Sequence, residues 1–130
     1  MNFSLNPTLE QDTYFIKDLP LCKMLLMDNA LFPWIILVPR LENAAEITDL
    51  SPEQQLQLWA EISETSKKLQ VITGAYKMNI AALGNVVRQL HIHIIARHQE
   101  DAAWPQPVWG SKRECYEKLA AEEFIALWKN

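Results

Sequence analysis

Both ends of one helix are written into the chain between Ser51 and Gly74. Ser51 is a favoured N-cap, Pro52 takes the first helical position, where its missing N–H costs nothing, and Gln54 completes a capping box. Gly74 offers the left-handed conformation on which helices commonly end. The spacing predicts a helix from about Pro52 to Ile72, with Leu56, Trp59, Ile62 and Leu69 as its apolar stripe. A segment this long and this sharply bounded divides the chain and limits what can lie on either side.

Three strand-like runs precede it: Thr13 to Lys17, Leu21 to Met27, and Trp34 to Val38. Asp18 and Pro20 fill the first gap, and Asp28, Asn29 and Pro33 the second; these are turn residues, so an antiparallel meander is expected. Pro39 and Arg40 end the third strand. Two more runs follow the helix, Tyr76 to Ala82 and Arg88 to Arg97, joined by a turn at Leu83, Gly84 and Asn85. The stretch DAAWPQPVWG is too rich in Pro and Trp to be regular. A last helix is expected from Ser111, with a capping box at Ser111 and Glu114 and a stripe of Tyr116, Ala120, Phe124, Leu127 and Trp128. Trp59, Phe124 and Trp128 are assigned to the core. The fold class is therefore α+β: an antiparallel sheet of about five strands, with a long helix after strand three and a C-terminal helix.

A chain of 130 residues with 49% hydrophobic and 22% charged residues fits one globular domain over residues 1–130. Its net charge of −4 supplies no positive field for nucleic acid or an anionic membrane surface, so neither partner is expected. The opening MNFSLNPTLEQD has no leader pattern, and no apolar run approaches the roughly 18 residues of a membrane span. The expectation is a cytoplasmic protein. Cys22 and Cys115 stand apart, without CxxC or CxxH partners, and read as buried thiols.

Residues 89–97, QLHIHIIAR, hold two of the three histidines. In a strand Gln89, His91 and His93 line one face, while Leu90, Ile92 and Ile94 line the other. Taken alone, such a strand is most simply an amphipathic one with a solvated or hydrogen-bonded polar face. A metal site is the rival reading, but zinc usually wants a third protein ligand, which only His98, Glu100, Asp101 or a cysteine could give. No metal or other cofactor is expected.

The pattern resembles the histidine triad (HIT) superfamily, whose signature alternates three histidines with apolar residues. Here the register reads Gln89-Leu90-His91-Ile92-His93-Ile94-Ile95, with Gln89 replacing the first histidine. The resemblance runs over roughly residues 10 to 108. It includes Pro39 closing strand three, the long helix, the strand holding Asn79, Gly84 five residues before Gln89, and a Trp-Pro pair eleven residues after His93.

The resemblance implies nucleotide hydrolases and transferases in which the middle histidine, here His91, attacks the α-phosphate of a nucleotide conjugate to form a nucleotidyl-histidine that water hydrolyses. His93 would bind phosphate oxygens or help protonate the leaving group. Gln89 keeps a donor and an acceptor but cannot relay a proton, which changes the support around the nucleophile. Val86 stands where several branches have Ser or Thr. Asn79, Gly84 and Asn85 match positions around the phosphate, and Asp28 or Asn29 the group that holds the ribose. Arg88 and Arg97 would add positive charge, and Trp104 would reach toward a partner subunit. Read without the resemblance, Asp28, Asn29, Asn79, Gly84 and Asn85 are also ordinary turn or strand-end residues, Arg88 and Arg97 solvated charges, and Trp104 and Trp109 core plugs.

These readings converge on a homodimeric nucleotidyl hydrolase or transferase acting on dinucleoside polyphosphates or nucleoside phosphoramidates. The main alternative is a nucleotide-binding module with little or no turnover; a metal-dependent strand-histidine enzyme is the other.

Overall fold

A computed structural model describes residues 3–129. A short helix α1 (Pro7–Asp12) leads into β1 (Thr13–Asp18), β2 (Cys22–Met27) and β3 (Trp34–Pro39); a 3-10 turn at Ile47–Asp49 precedes α2 (Pro52–Thr73), and β4 (Lys77–Ala81), β5 (Ile92–Arg97) and α3 (Lys118–Ala126) complete the order. The five strands form one antiparallel sheet in the order β1-β2-β3-β5-β4. The expected α+β class and meander are therefore observed. Central β3 and β5 are buried along their whole length, because both sheet faces are covered.

Helix α2 begins and ends as its caps require. Ser51 Oγ accepts the Gln54 N–H at 3.2 Å, Gln54 Oε1 accepts the Ser51 N–H at 2.8 Å, and Gly74 adopts φ 66°. Its buried face differs from the expected stripe. Leu58, Ile62, Thr65 and Leu69 face the sheet, whereas Leu56 and Trp59 are 73% and 61% exposed. Glu61 explains the rotation. Its carboxylate is buried, accepting the backbone N–H groups of Leu21 and Cys22 at 2.8 and 2.9 Å and the Gln57 amide at 2.6 Å, so a charged residue occupies the inner face. Burial, then the Glu61 carboxylate, pushes the Cys22 thiol well above its ordinary range. Cys22 is buried as expected, but Cys115 is exposed.

The C-terminal helix starts seven residues later than expected. Residues 112–116 run along the turn after β2 instead: Asp28 Oδ1 accepts the Tyr116 N–H at 2.8 Å, Glu114 O accepts from Ala30 N at 2.6 Å, and Asn29 donates to Lys112 O at 3.4 Å. Ser111 Oγ donates to Val108 O rather than capping a helix. Of the expected stripe, Trp128 is buried and Phe124 partly so, Ala120 and Leu127 are exposed, and Ala121 takes the inner position. The connection between β4 and β5 also runs longer than a tight turn, because residues 88–91 are not strand. Leu90 donates its N–H to Ala44 O there.

The helix-facing side of the sheet packs Met24, Leu26, Ile35, Leu37, Ile92 and Ile94 against α2 and α3. The opposite face carries Leu25, Trp34, Ile36, Val38 and Ile95, covered by Phe3, Leu5 and Leu9 from the N-terminal segment and by Val108. His93 pairs with Ile36 and Ala81 in register, so it lies on that second face.

Candidate active site

His91 and His93 meet at the start of β5 with ring centroids 4.9 Å apart. Both are buried, at 7% and 4% exposure, yet His91 also lines a cleft of about 230 Å³ with Glu46, Thr48, Leu83 and Gly84. One imidazole is therefore sheltered and still reachable.

Hydrogen bonding fixes both tautomers. His91 Nδ1 lies 2.7 Å from Gln89 O, and a carbonyl can only accept, so Nδ1 carries a proton and in the neutral ring Nε2 keeps its lone pair. Trp34 Nε1 lies 3.0 Å from His93 Nδ1, and an indole can only donate, so His93 bears its proton on Nε2. The pair thus presents one nitrogen lone pair and one N–H. Trp109 closes the cluster, edge-on to His93 at 5.0 Å and to Trp34 at 5.7 Å. Burial, then the neighbouring His91, lowers the His93 pKa to about 4, so its ring is neutral at pH 7. Trp34 is the residue that reading the sequence missed. Its signal was register, since it sits on β3 facing the histidine side, and a buried indole needs an acceptor.

Gln89 spends its side chain on the N-terminal segment and not on either histidine. Its Oε1 accepts the Asn6 N–H at 2.8 Å and its Nε2 donates to Ser4 O at 2.9 Å, which fastens the N-terminal segment over the site face. Gly84 borders the His91 cleft at φ 73°, a left-handed conformation that favours glycine. Asn85 and Arg88 are exposed in the same connection, with Arg88 lining a hollow that shares Ala45 with the cleft.

The other candidates gather elsewhere. Arg97 is 1% exposed and spends its donors on Asp101, Asn79 Oδ1 and Gln106 O, so the Arg97 guanidinium and the Asn79 amide oxygen are already engaged. Trp104 packs edge-on to Tyr76 at 5.6 Å, near the Arg97 guanidinium. Asp28 and Asn29 hold residues 112–116, as described above. His98 makes its own bond, Nε2 to Thr73 O at 3.1 Å. Among the described residues, no three His, Cys, Asp or Glu side chains converge as a metal cage requires.

The HIT domain model matches residues 8–100, more than half of the chain, and the chain belongs to the HIT family. It is 50% identical to a histidine triad protein of Bradyrhizobium japonicum, covering 96% of this chain and 94% of that one with a TM-score of 0.94. Histidine triad proteins of Sinorhizobium meliloti 1021 and Marinobacter aquaeolei VT8 are 43% and 42% identical, with TM-scores of 0.95 each; coverage is 97% and 98% of this chain and 94% and 93% of theirs. A hypothetical histidine triad nucleotide-binding protein of Sulfolobus tokodaii, 20% identical at a TM-score of 0.62 over 91% of this chain and 82% of that one, shares the fold. A search of the curated proteins finds no significant match. No helix among the described residues is long and apolar enough to cross a membrane.

Proposed function

We propose that the chain is a nucleotidyl hydrolase or transferase that cleaves at the α-phosphate of a nucleotide conjugate, a dinucleoside polyphosphate or a nucleoside phosphoramidate. The observation that carries this is the His91 tautomer. With Nδ1–H held by Gln89 O, the lone pair of Nε2 is available for in-line attack, and a neutral imidazole is a competent nucleophile at pH 7. The nucleotidyl-histidine that forms carries positive charge on the ring, and the Gln89 carbonyl stabilises it through the same hydrogen bond. Water then displaces the ring and restores Nε2. His93 Nε2–H donates to a phosphate oxygen, as its Trp34-fixed tautomer suits.

In this reading Gln89 stands at the first triad position and acts by fastening residues 4–6. Gly84, Asn85 and Arg88 border the phosphates. Asp28, Asn29, Asn79 and Arg97 act as braces through the bonds they already make, Trp104 meets the partner subunit of a homodimer, and no metal takes part.

The test is nucleoside monophosphate release from diadenosine polyphosphates and adenosine phosphoramidate in EDTA, comparing the wild type with His91→Ala. Release that survives chelation and falls roughly a thousandfold or more in the variant supports the reading. Nucleotide binding without release identifies the binding module instead.

A further inference from the structure

Both Nδ1 atoms of the histidine pair are tied to a fixed partner. The indole of Trp34 holds the lone pair of His93 Nδ1, and the carbonyl of Gln89 holds the proton of His91 Nδ1. The Gln89 amide, which could have offered a further donor, faces Ser4 and Asn6. Around His93, β3 presents Trp34 and Ile36, β4 presents Ala81, and the loop after β5 presents Trp109. None of these titrates. Of the described groups against His93 only His91 is ionisable, and a second imidazole beside the first opposes the protonation of His93.

A cleavage reaction sorts leaving groups by whether they need a proton. When His91 Nε2 forms a bond to an α-phosphorus carrying a P–O–P or P–O–C(=O) link, the P–O bond breaks and its electron pair stays on the departing oxygen. A phosphate or carboxylate leaves as a stable anion, and no acid is needed. Water then forms the new P–O bond, the N–P pair returns to Nε2, and the proton of the water passes to the product phosphate or to solvent. A P–N link differs. Its nitrogen would depart as an amide anion unless a proton reached it, and a neutral imidazole N–H gives a hydrogen bond but not a proton.

Resting on the function proposed above, we propose that Trp34 is a positioning residue that holds His93 as a neutral Nε2–H donor, so that this site favours nucleotide anhydrides, phosphoric or acyl-phosphoric, over phosphoramidates. The site then offers hydrogen bonds to the transition state and leaves the leaving group to its own acidity.

The test uses the full chain and a matched adenosine series: AMP esters of phenols of graded acidity, a mixed anhydride of AMP with a carboxylic acid, diadenosine tetraphosphate, and adenosine phosphoramidate. The expected result is a kcat/KM that falls steeply as the phenol becomes less acidic, with anhydrides ahead of the phosphoramidate by at least about a hundredfold, the size of a general-acid contribution. In Trp34→Phe, which frees His93 Nδ1, the dependence on phenol acidity flattens; loss of packing alone would slow all members alike. Nitrogen-15 NMR of the wild type supplies a readout independent of that variant's folding: His93 Nε2 protonated and Nδ1 unprotonated from pH 5 to 8. A flat series, a phosphoramidate cleaved within tenfold of the anhydrides, or a His93 that titrates near its ordinary value overturns the proposal. If no member releases AMP, the hydrolase reading itself falls and takes the leaving-group preference with it, whereas the role of Trp34 is then decided by the NMR measurement.

Discussion

Arg97 grips Asp101 in two hydrogen bonds, Nε to Oδ2 at 2.8 Å and Nη2 to Oδ1 at 3.1 Å, with both side chains almost wholly out of water. Other guanidinium donors reach Asn79 and Gln106 O, and its Cζ lies 5.6 Å from the ring centroids of both Phe32 and Trp104. Asp101 in turn accepts the N–H groups of His98, Ala103 and Trp104. The pair therefore ties the end of β5 to the loop that delivers Trp109 to the histidines.

Removing one partner of such a pair leaves a buried charge unpaired. Asp101→Ala is expected to cost about 3–5 kcal/mol, a fall in Tm of roughly 10–20 °C by thermal denaturation. Burial alone would raise the Asp101 carboxyl, but Arg97 and the three N–H groups hold it well below the usual carboxylate range. Its contribution is present above that range and lost as pH falls below it, so the variant's deficit should shrink in acid. A deficit that stays constant down to pH 2 would contradict the account.

His93 gives stability a second pH dependence. Its folded pKa, lowered to about 4, lies below the ordinary value of 6.5, so between the two the unfolded chain takes up a proton that the folded chain refuses. Stability from this source is complete above about pH 6.5 and declines as pH falls toward 4. Tm measured against pH should lose part of its slope in that window in His93→Gln. Parallel curves for the two proteins would show an ordinary histidine.

Gln89→Ala should loosen the N-terminal segment while leaving His91 oriented, because the His91 bond goes to the Gln89 backbone. Two hydrogen bonds are lost, each worth about 0.5–1.5 kcal/mol. Hydrogen exchange should rise for the amides of residues 5–10 and stay unchanged in β3 and β5. Unchanged exchange at the N-terminus would mean that the apolar contacts of Phe3, Leu5 and Leu9 hold the segment alone.

The two cysteines should separate cleanly under a thiol reagent. Cys115 is exposed and reacts in the native protein; Cys22 is buried with its thiolate disfavoured, and reacts only on unfolding. Ellman titration should give one fast equivalent natively and two in denaturant. Two fast native equivalents would place Cys22 wrongly.

What was legible in the sequence was what is decided locally. The capping box of α2 joins Ser51 to Gln54, three residues on, Gly74 ends the helix by its own backbone conformation, and the meander follows from short turns and alternation. The alternation around His91 and His93 put both on one face, and the structure brings them together. Features decided at long range were not legible. Glu61 turns inward because its partners lie about 40 residues away, which leaves Trp59 in solvent. The Ser111 capping box is overridden by contacts with Asp28 and Asn29 more than 80 residues earlier. Trp34 acquires its meaning only once β3 lies beside β5.

That pairing of residues 28–30 with residues 112–116 also bears on how the protein is made. The turn after β2 leaves the ribosome early, with the Ala30 N–H and the carboxylate of Asp28 waiting for partners encoded more than eighty residues later. Because domains fold as synthesis proceeds, this closure comes after all five strands have been made. A nascent chain halted before residue 112 would hold all five strands with the turn after β2 still open, and would need residues 112–116 to close it.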